Sequence, residues 1–196
     1  MKQPIASYYP AFVMTLFNLT SWQRKLIATS TATAILALAA NISIPAYPVP
    51  FTLQSLVVLL IGAFLGRRLG GLALLQYLCV GAMGLPVFAN GSSGIVALMS
   101  PSAGYLYGYV ASAYLAGFAA EKGYDRKFLT GLVAFAIAHQ VIFLFGVTYL
   151  MAYFQIDIVA AMKIGYIPFV GLDLTKFILA ALIMCLLWRS RGKTQR

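Results

Sequence analysis

Charged residues are scarce in this sequence. Of its 196 residues, 9% are Asp, Glu, Lys or Arg and 62% are hydrophobic, and the mean hydropathy is +0.89. Soluble proteins contain about 25% charged and about 45–50% apolar residues, because a water-facing surface needs many polar side chains. The composition therefore excludes a water-soluble globular fold and predicts an integral membrane protein.

Residues that commonly carry enzyme chemistry are also few. The chain contains 2 Cys, 1 His and 4 Asp plus Glu residues, and neither the cysteines nor the histidine has metal-ligand spacing. The motifs GxSxG, HExxH and GxGxxG do not occur in it, so no nucleophile elbow, zinc-binding helix or dinucleotide loop is indicated. We expect no metal site, no cofactor and no enzymatic activity.

Six apolar runs approach the length that a helix needs to cross a bilayer, which is about 20 residues. The runs are continuous rather than alternating, and open sheet edges cannot be satisfied in lipid, so the fold class is all-α. These six transmembrane helices form one domain, 26–188, between an N-terminal interfacial segment, 1–25, and a basic cytoplasmic tail, 189–196. The predicted spans are Leu26–Ile44, Phe51–Gly66, Leu69–Val87, Ser102–Ala120, Phe128–Tyr153 and Pro168–Trp188.

The positive charges indicate how these spans are oriented. The chain has 14 Lys plus Arg residues and a net charge of +10, in small groups without the basic stripe and aromatic platform of a nucleic-acid-binding face. With six spans, nearly all of them fall on one side of the membrane, and the connections on the other side hold only Lys163. The positive-inside rule then places both termini in the cytoplasm. Five or seven spans would divide the basic groups between the two sides.

The outer connections are rich in proline and glycine. The longest, Pro86–Pro101, contains Asn90-Gly91-Ser92-Ser93-Gly94 and no charge. An uncharged loop of this length is usually functional rather than a free linker. We expect it to be a structured outer loop that caps a ligand pocket.

Two ionisable residues, Asp173 and Lys176, lie well inside an apolar run. Their i, i+3 spacing puts both on one helical face, and intramembrane charges tend to pair and to line cavities. They are either polar anchors for a bound solute or a structural ion pair. As anchors they would suit a ligand with both N–H and C=O or carboxylate groups.

Other polar and small residues leave two interpretations open. Asn90 either contacts a ligand or caps a turn, Gln54 either contacts a ligand or bonds to another helix, and the tyrosines Tyr105 and Tyr149 either bind or pack. His139 is more typical of an interhelical hydrogen bond than of a proton relay. The first run also has small residues at four-residue spacing, which pack either internally or against another subunit.

Several sequence blocks resemble the BioY family, the biotin-specific substrate-binding (S) components of energy-coupling-factor (ECF) transporters. The resemblance extends from about Leu26 to Trp188. The blocks that carry it are Asn41-Ile42-Ser43-Ile44-Pro45, Val49-Pro50-Phe51-Thr52-Leu53-Gln54, Tyr77-Leu78, Gly81, Gly84-Leu85-Pro86-Val87-Phe88-Ala89, Pro101, Gly104-Tyr105-Leu106, and Asp173 with Lys176.

The resemblance implies capture of biotin at the outer face of a bacterial cell membrane, with Asn90, Asp173 and Lys176 holding the vitamin. It also implies a transmembrane coupling subunit and two cytoplasmic ATPases as partners. The docking face for the coupling subunit is expected on the first helix, at Ser30, Thr33, Ala34 and Ala37. The alternatives are an S component for another vitamin, a membrane-embedded enzyme using Asp173 or His139, and a structural subunit without a ligand.

Overall fold

The computed structural model describes residue 12 and residues 21–194, the last three by backbone alone. Most of the expected interfacial segment 1–25 and the end of the expected tail 189–196 lie outside the described residues. The described part is mostly helical. Its α-helices are α1 (Trp22–Asn41), α2 (Gln54–Ala82), α3 (Gly94–Leu98), α4 (Ala103–Glu121), α5 (Phe128–Phe154), α6 (Ile158–Gly165) and α7 (Val170–Thr194).

Short elements connect these helices. Two strands, β1 (Ser43–Ile44) and β2 (Phe51–Thr52), pair antiparallel between α1 and α2. Single 3₁₀ turns lie at Ala89–Gly91, Tyr124–Arg126 and Ile167–Phe169. Within the described residues, three stretches are long and apolar enough to cross a membrane: Gln54–Ala82, Phe128–Phe154 and Ile158–Arg191.

Helix α2 is not one straight rod, because the chain reverses direction at Gly66. This residue has φ 79° and ψ 172°, a conformation that favours glycine. Gln54 Nε2 donates a hydrogen bond of 2.6 Å to the Tyr77 hydroxyl, whereas residues this far apart in a straight helix would be separated by about 34 Å. The segments 54–65 and 67–82 are therefore antiparallel arms of a helical hairpin.

Glycines allow the two arms to approach closely. A Cβ atom at Gly70 would lie 3.0 Å from the Cα of Gly62, so the backbones are in direct contact near the turn. Small residues that permit such contact are typical of helix pairs in membranes. The hairpin explains why most of the two predicted spans Phe51–Gly66 and Leu69–Val87 falls within the single helix Gln54–Ala82.

The tip of this hairpin is held by a buried carboxylate. Glu121, at the end of α4, accepts a 3.0 Å hydrogen bond from the backbone N–H of Arg67 and lies 3.2 Å from the Arg67 guanidinium. The first N–H groups of a helix have no partner within the helix, and a negative charge there is favourable. Glu121 thereby provides a hydrogen-bond acceptor for a backbone N–H group at the start of the second arm.

A second buried carboxylate, Asp125, joins the α4–α5 connection to α7. Its Oδ2 accepts a 2.7 Å hydrogen bond from the indole N–H of Trp188, and the Arg126 guanidinium lies 4.3 Å from the centre of that indole ring. Asp125 is 1% exposed. Because burial disfavours the ionised carboxylate more than the Trp188 bond and Arg126 favour it, the pKa of Asp125 is raised from 3.8 to about 6.

This raised pKa predicts a pH-dependent stability difference for the variant Asp125→Asn. Since the folded protein holds the Asp125 proton more tightly than the unfolded chain does, the free energy of unfolding decreases as pH rises from about 4 to about 6. The neutral variant avoids this loss while keeping an oxygen for Trp188. At pH of about 7.5 it should be more stable than wild type by about 1–2 kcal/mol, and the difference should vanish near about pH 4.

Thermal unfolding of the purified protein across this pH range measures the difference. Asp157→Asn is the matched control, because Asp157 lies in an exposed turn where its carboxylate accepts from Ala160 N–H at 2.8 Å. A difference between wild type and Asp125→Asn that does not change with pH would contradict the account.

The loops at the opposite end of the helices contact one another. The Tyr105 hydroxyl donates to the Gly165 carbonyl at 2.7 Å, and the Tyr107 hydroxyl donates to the Leu98 carbonyl at 2.7 Å. The Ser43 hydroxyl donates to Asn90 Oδ1 at 3.0 Å. We call the end of the helices where these loops meet the loop end. The opposite end, which holds Arg67, Glu121 and Asp125, is called the basic end.

Two features at the loop end differ from the sequence prediction: the end of one helix and the presence of another. The second arm of α2 ends at Ala82 rather than Val87, because Gly84 turns the chain with φ 101°. The connection between Phe154 and Ile167 contains helix α6. Its N-cap is Asp157, a residue type that commonly starts helices, and this signal was present in the sequence.

Candidate functional site

A cavity of about 190 Å³ opens at the loop end, between α2, α4 and the two connections that precede these helices. Its walls are mainly apolar, with a few hydroxyl and amide groups among them, as is typical of small-molecule sites. The lining residues are Val49, Pro50, Thr52, Gln54, Phe88, Ala89, Asn90, Ser92, Ala97, Ser102, Tyr105, Leu106 and Tyr109. Three of the sequence-predicted site residues, Gln54, Asn90 and Tyr105, are therefore brought together.

Asn90 is positioned by the backbone of its 3₁₀ turn. Its φ of 57° and ψ of 28° lie in the left-handed region, which asparagine tolerates better than most residues. Its amide oxygen accepts the hydrogen bond from Ser43, which fixes the side chain. Its amide N–H groups have no partner among the described residues, so they are able to donate to a ligand.

Gln54 begins α2 and is tied to the loop that follows α2. Its amide nitrogen donates to the Tyr77 hydroxyl, and Tyr77 in turn donates to the Val87 carbonyl at 2.8 Å. Gln54 is 2% exposed, so its orientation is fixed by packing as well as by this chain of bonds. The arrangement leaves its amide oxygen as an acceptor on the cavity wall.

The side of the cavity formed by α4 carries Tyr105 and Tyr109. These residues are four positions apart and so lie on one helical face. The Tyr105 hydroxyl donates its hydrogen bond to the Gly165 carbonyl, so it is the Tyr105 ring that forms an apolar part of the cavity wall. Tyr109 is 6% exposed, and it lines the cavity together with Thr52. Sequence reasoning missed Tyr109 and Thr52, although the four-residue spacing from Tyr105 was a usable signal for Tyr109.

Phe88 forms the wall where the loop meets α2. It is 1% exposed and packs edge-to-face on Tyr77, with ring centres 5.3 Å apart. A Cβ atom at Gly81 would lie 2.1 Å from the Phe88 ring, so glycine is required there for the ring to pack. Gly81 therefore leaves the space that the Phe88 ring occupies beside the cavity.

Asp173 and Lys176 form an ion pair directly behind the cavity wall. The Lys176 ammonium lies 2.5 Å from Asp173 Oδ1. The ammonium also donates to the Thr52 carbonyl at 2.7 Å and to the Ser55 hydroxyl at 3.1 Å. Because Thr52 lines the cavity, the pair is separated from it by a single residue. The side chains of Asp173 and Lys176 are only 7% and 12% exposed, respectively.

Tyr149 lies outside this cavity. Its ring contacts Tyr107 and Tyr153, with ring centres 6.2 Å and 6.1 Å away. Its Cβ approaches Gly104 so closely that a side chain at position 104 would clash with it. Tyr149 therefore packs α5 against α4 and is not brought together with Gln54, Asn90 and Tyr105.

The small residues of α1 do not all face the same way. Ser30 and Ala34 are exposed, and Ala37 is half-buried. Thr33 is buried and its hydroxyl donates to the Ala73 carbonyl on α2 at 3.0 Å. Ser30 accepts a 2.8 Å hydrogen bond from Gln76 Nε2. Thus Thr33 joins α1 to α2, whereas Ala34 is on the outer surface of the chain.

Metal binding has no candidate residues in the part of the chain that the structure describes. No three His, Cys, Asp or Glu side chains come together there in a way that could hold an ion.

Comparison with known proteins gives a consistent family. The profile of the BioY family matches residues 12–193. "Biotin transporter BioY" of Thermotoga maritima is 41% identical over 82% of this chain and 93% of its own length, and the protein of that name from Rhizobium etli is 35% identical over 82% and 90%, respectively. The crystal structure of the S-component for biotin from an ECF-type ABC transporter has the same fold, with a TM-score of 0.77 at 23% identity over 85% of this chain and 92% of that one. The chain belongs to the BioY family.

Proposed function

We propose that this chain captures biotin at the outer face of a bacterial cell membrane, as the S component of an ECF transporter. The observation that carries the proposal is the 41% identity to a biotin transporter over nearly its whole length. The cavity at the loop end supports it, because its apolar walls and its few polar groups suit a small molecule with an apolar ring and a polar edge.

The proposed topology has six spans with both termini in the cytoplasm. Residues 54–65 and 67–82 count as two spans because the chain reverses at Gly66. Arg67, Lys122 and Arg126 then lie near the cytoplasmic surface, as the positive-inside rule requires. The loop end, with its cavity, faces outward under this topology.

The polar groups of biotin match the groups at the cavity. Its ureido ring has two N–H donors and one carbonyl, and its valeryl chain ends in a carboxylate. In the proposed complex, Gln54 Oε1 accepts from a ureido N–H and the Asn90 amide donates to a biotin oxygen. The Asp173–Lys176 pair lies behind Thr52 and supplies its charges to biotin once Lys176 exchanges Asp173 for a biotin oxygen, and the Tyr105 ring packs on the apolar part of the vitamin.

The proposed partners are a transmembrane coupling subunit and two cytoplasmic ATPases. The chain carries no nucleotide-binding loop of its own, so transport energy would have to come from other subunits. The exposed small residues Ser30 and Ala34 on α1 offer a surface on which another helix can approach closely. We propose this surface, with the half-buried Ala37 at its edge, as the docking site.

Equilibrium titration of the detergent-purified chain tests the proposed function. Biotin should bind saturably with one molecule per chain, and unlabelled biotin should displace it while riboflavin and thiamine should not. The recovered ligand should be chemically unchanged, because the chain is proposed to bind and not to react. Preferential binding of a different vitamin, conversion of biotin, or absence of saturable binding by folded protein would overturn the proposal.

A further inference from the structure

His139 is fully buried among the helices and has no hydrogen bond to any of the described residues. It belongs to α5 and is 0% exposed. Its ring lies among aromatic side chains, with centres 5.5 Å from Phe143 and 5.9 Å from Phe177. Neither ring nitrogen has a hydrogen-bond partner among the described residues. Buried polar atoms are nearly always paired in native proteins, so such an exception requires an explanation.

The nearest acceptor is the carboxylate of Asp173 on the neighbouring helix α7. His139 Nε2 lies 3.7 Å from Asp173 Oδ2, slightly beyond hydrogen-bond distance. The other oxygen, Oδ1, is paired with Lys176. The Asp173 carboxylate thus lies between the Lys176 ammonium, which it contacts, and His139 Nε2, which is slightly too far away for a hydrogen bond.

The Lys176 ammonium already contacts three oxygen atoms. It donates hydrogen bonds to the Thr52 carbonyl and the Ser55 hydroxyl, and it lies 2.5 Å from Asp173 Oδ1 in an ionic contact without hydrogen-bond geometry. Because an ammonium has three N–H groups, a ligand oxygen that binds to Lys176 competes with Asp173 for the third of them. Asp173 is the partner with an alternative, because His139 approaches its second oxygen from the opposite helix.

We propose that His139 is a positioning residue for the ligand site. When a biotin oxygen takes a donor of Lys176 from Asp173, the carboxylate moves the short distance to His139 and accepts a hydrogen bond from Nε2–H. His139 remains neutral and donates without transferring its proton. The exchange keeps Asp173 paired and oriented while Lys176 donates to the ligand. This proposal rests on the proposed biotin site.

Two substitutions at this position separate hydrogen bonding from packing. His139→Met fills a similar volume but cannot donate, whereas His139→Gln keeps an N–H group. Biotin affinity, measured by titration of the purified chain, should fall by at least about tenfold in His139→Met and by less than about threefold in His139→Gln. In an Asp173→Asn background, the further effect of His139→Met should be much smaller, because the two residues act through one contact.

Nuclear magnetic resonance of the wild-type chain provides a second measurement that requires no substitution. The sequence has 1 His, so ¹⁵N-histidine labelling of the untagged protein reports on His139 alone. Biotin should shift the Nε2 resonance in the direction of a stronger hydrogen bond. An unchanged imidazole spectrum on saturation, or wild-type affinity in folded His139→Met, would overturn the inference. If wild type itself does not bind biotin, the proposed function fails instead.

Discussion

Replacing Asp173 with asparagine should weaken biotin binding by at least about tenfold, which corresponds to about 1.4 kcal/mol. Hydrogen bonds to a charged group contribute about 1.5–3 kcal/mol, compared with about 0.5–1.5 kcal/mol for neutral pairs. The substitution also removes the counter-charge 2.5 Å from the Lys176 ammonium, whose side chain is largely buried. Titration of purified Asp173→Asn with labelled biotin measures the loss.

The control for this prediction is Asp157→Asn, which makes the same chemical change at an exposed helix N-cap. Asparagine also caps helices well, so the control should bind biotin as wild type does. Gel filtration and thermal unfolding must show that Asp173→Asn is folded. If the folded variant binds with wild-type affinity, Asp173 does not belong to the site.

Replacing Ala34 with tryptophan should abolish biotin uptake without changing biotin binding. Ala34 is exposed on α1, and a large side chain there would keep a partner helix from approaching closely. Since the residue does not line the cavity, the affinity of the isolated chain for biotin should stay within about twofold of wild type. Uptake into vesicles that contain the chain, the coupling subunit and the ATPases should fall by at least about tenfold.

Val133→Trp is the matched control for the docking prediction. Val133 is 60% exposed on α5, so the substitution adds similar bulk to a different outward face. Uptake should remain close to wild type in this control. Equal uptake by the two tryptophan variants, or a parallel loss of biotin binding in Ala34→Trp, would contradict the assignment of the docking face.

Composition and local spacing were sufficient to predict the helical class and to identify part of the candidate site, whose role stays a prediction. Asp173 and Lys176 were identifiable because charged residues in apolar runs are rare, and their ion pair follows from the i, i+3 spacing. Asn90 was identifiable because it lies in a glycine-rich turn between apolar runs. Each of these signals is contained within a few neighbouring residues.

The remaining features depend on which helices lie next to one another. Thr33 and Ala34 are adjacent in sequence, and only the packing of α1 on α2 determines that the hydroxyl of Thr33 faces inward. Tyr149 has the same residue type as Tyr105 but points to the other side of the α4–α5 contact. The approach of His139 to Asp173 joins residues on α5 and α7, which no local pattern reveals.

Protection of a cysteine in the cavity tests most directly whether this cavity holds the vitamin. Ser102 lines the cavity and Ser190 is exposed at the basic end of α7. Ser102→Cys and Ser190→Cys can be compared in a Cys79→Ala background, because the other native cysteine, Cys185, is buried. Saturating biotin should slow alkylation of the Ser102→Cys thiol by at least about tenfold and leave that of Ser190→Cys unchanged. Bound biotin that leaves the Ser102→Cys thiol as reactive as before would show that it binds elsewhere.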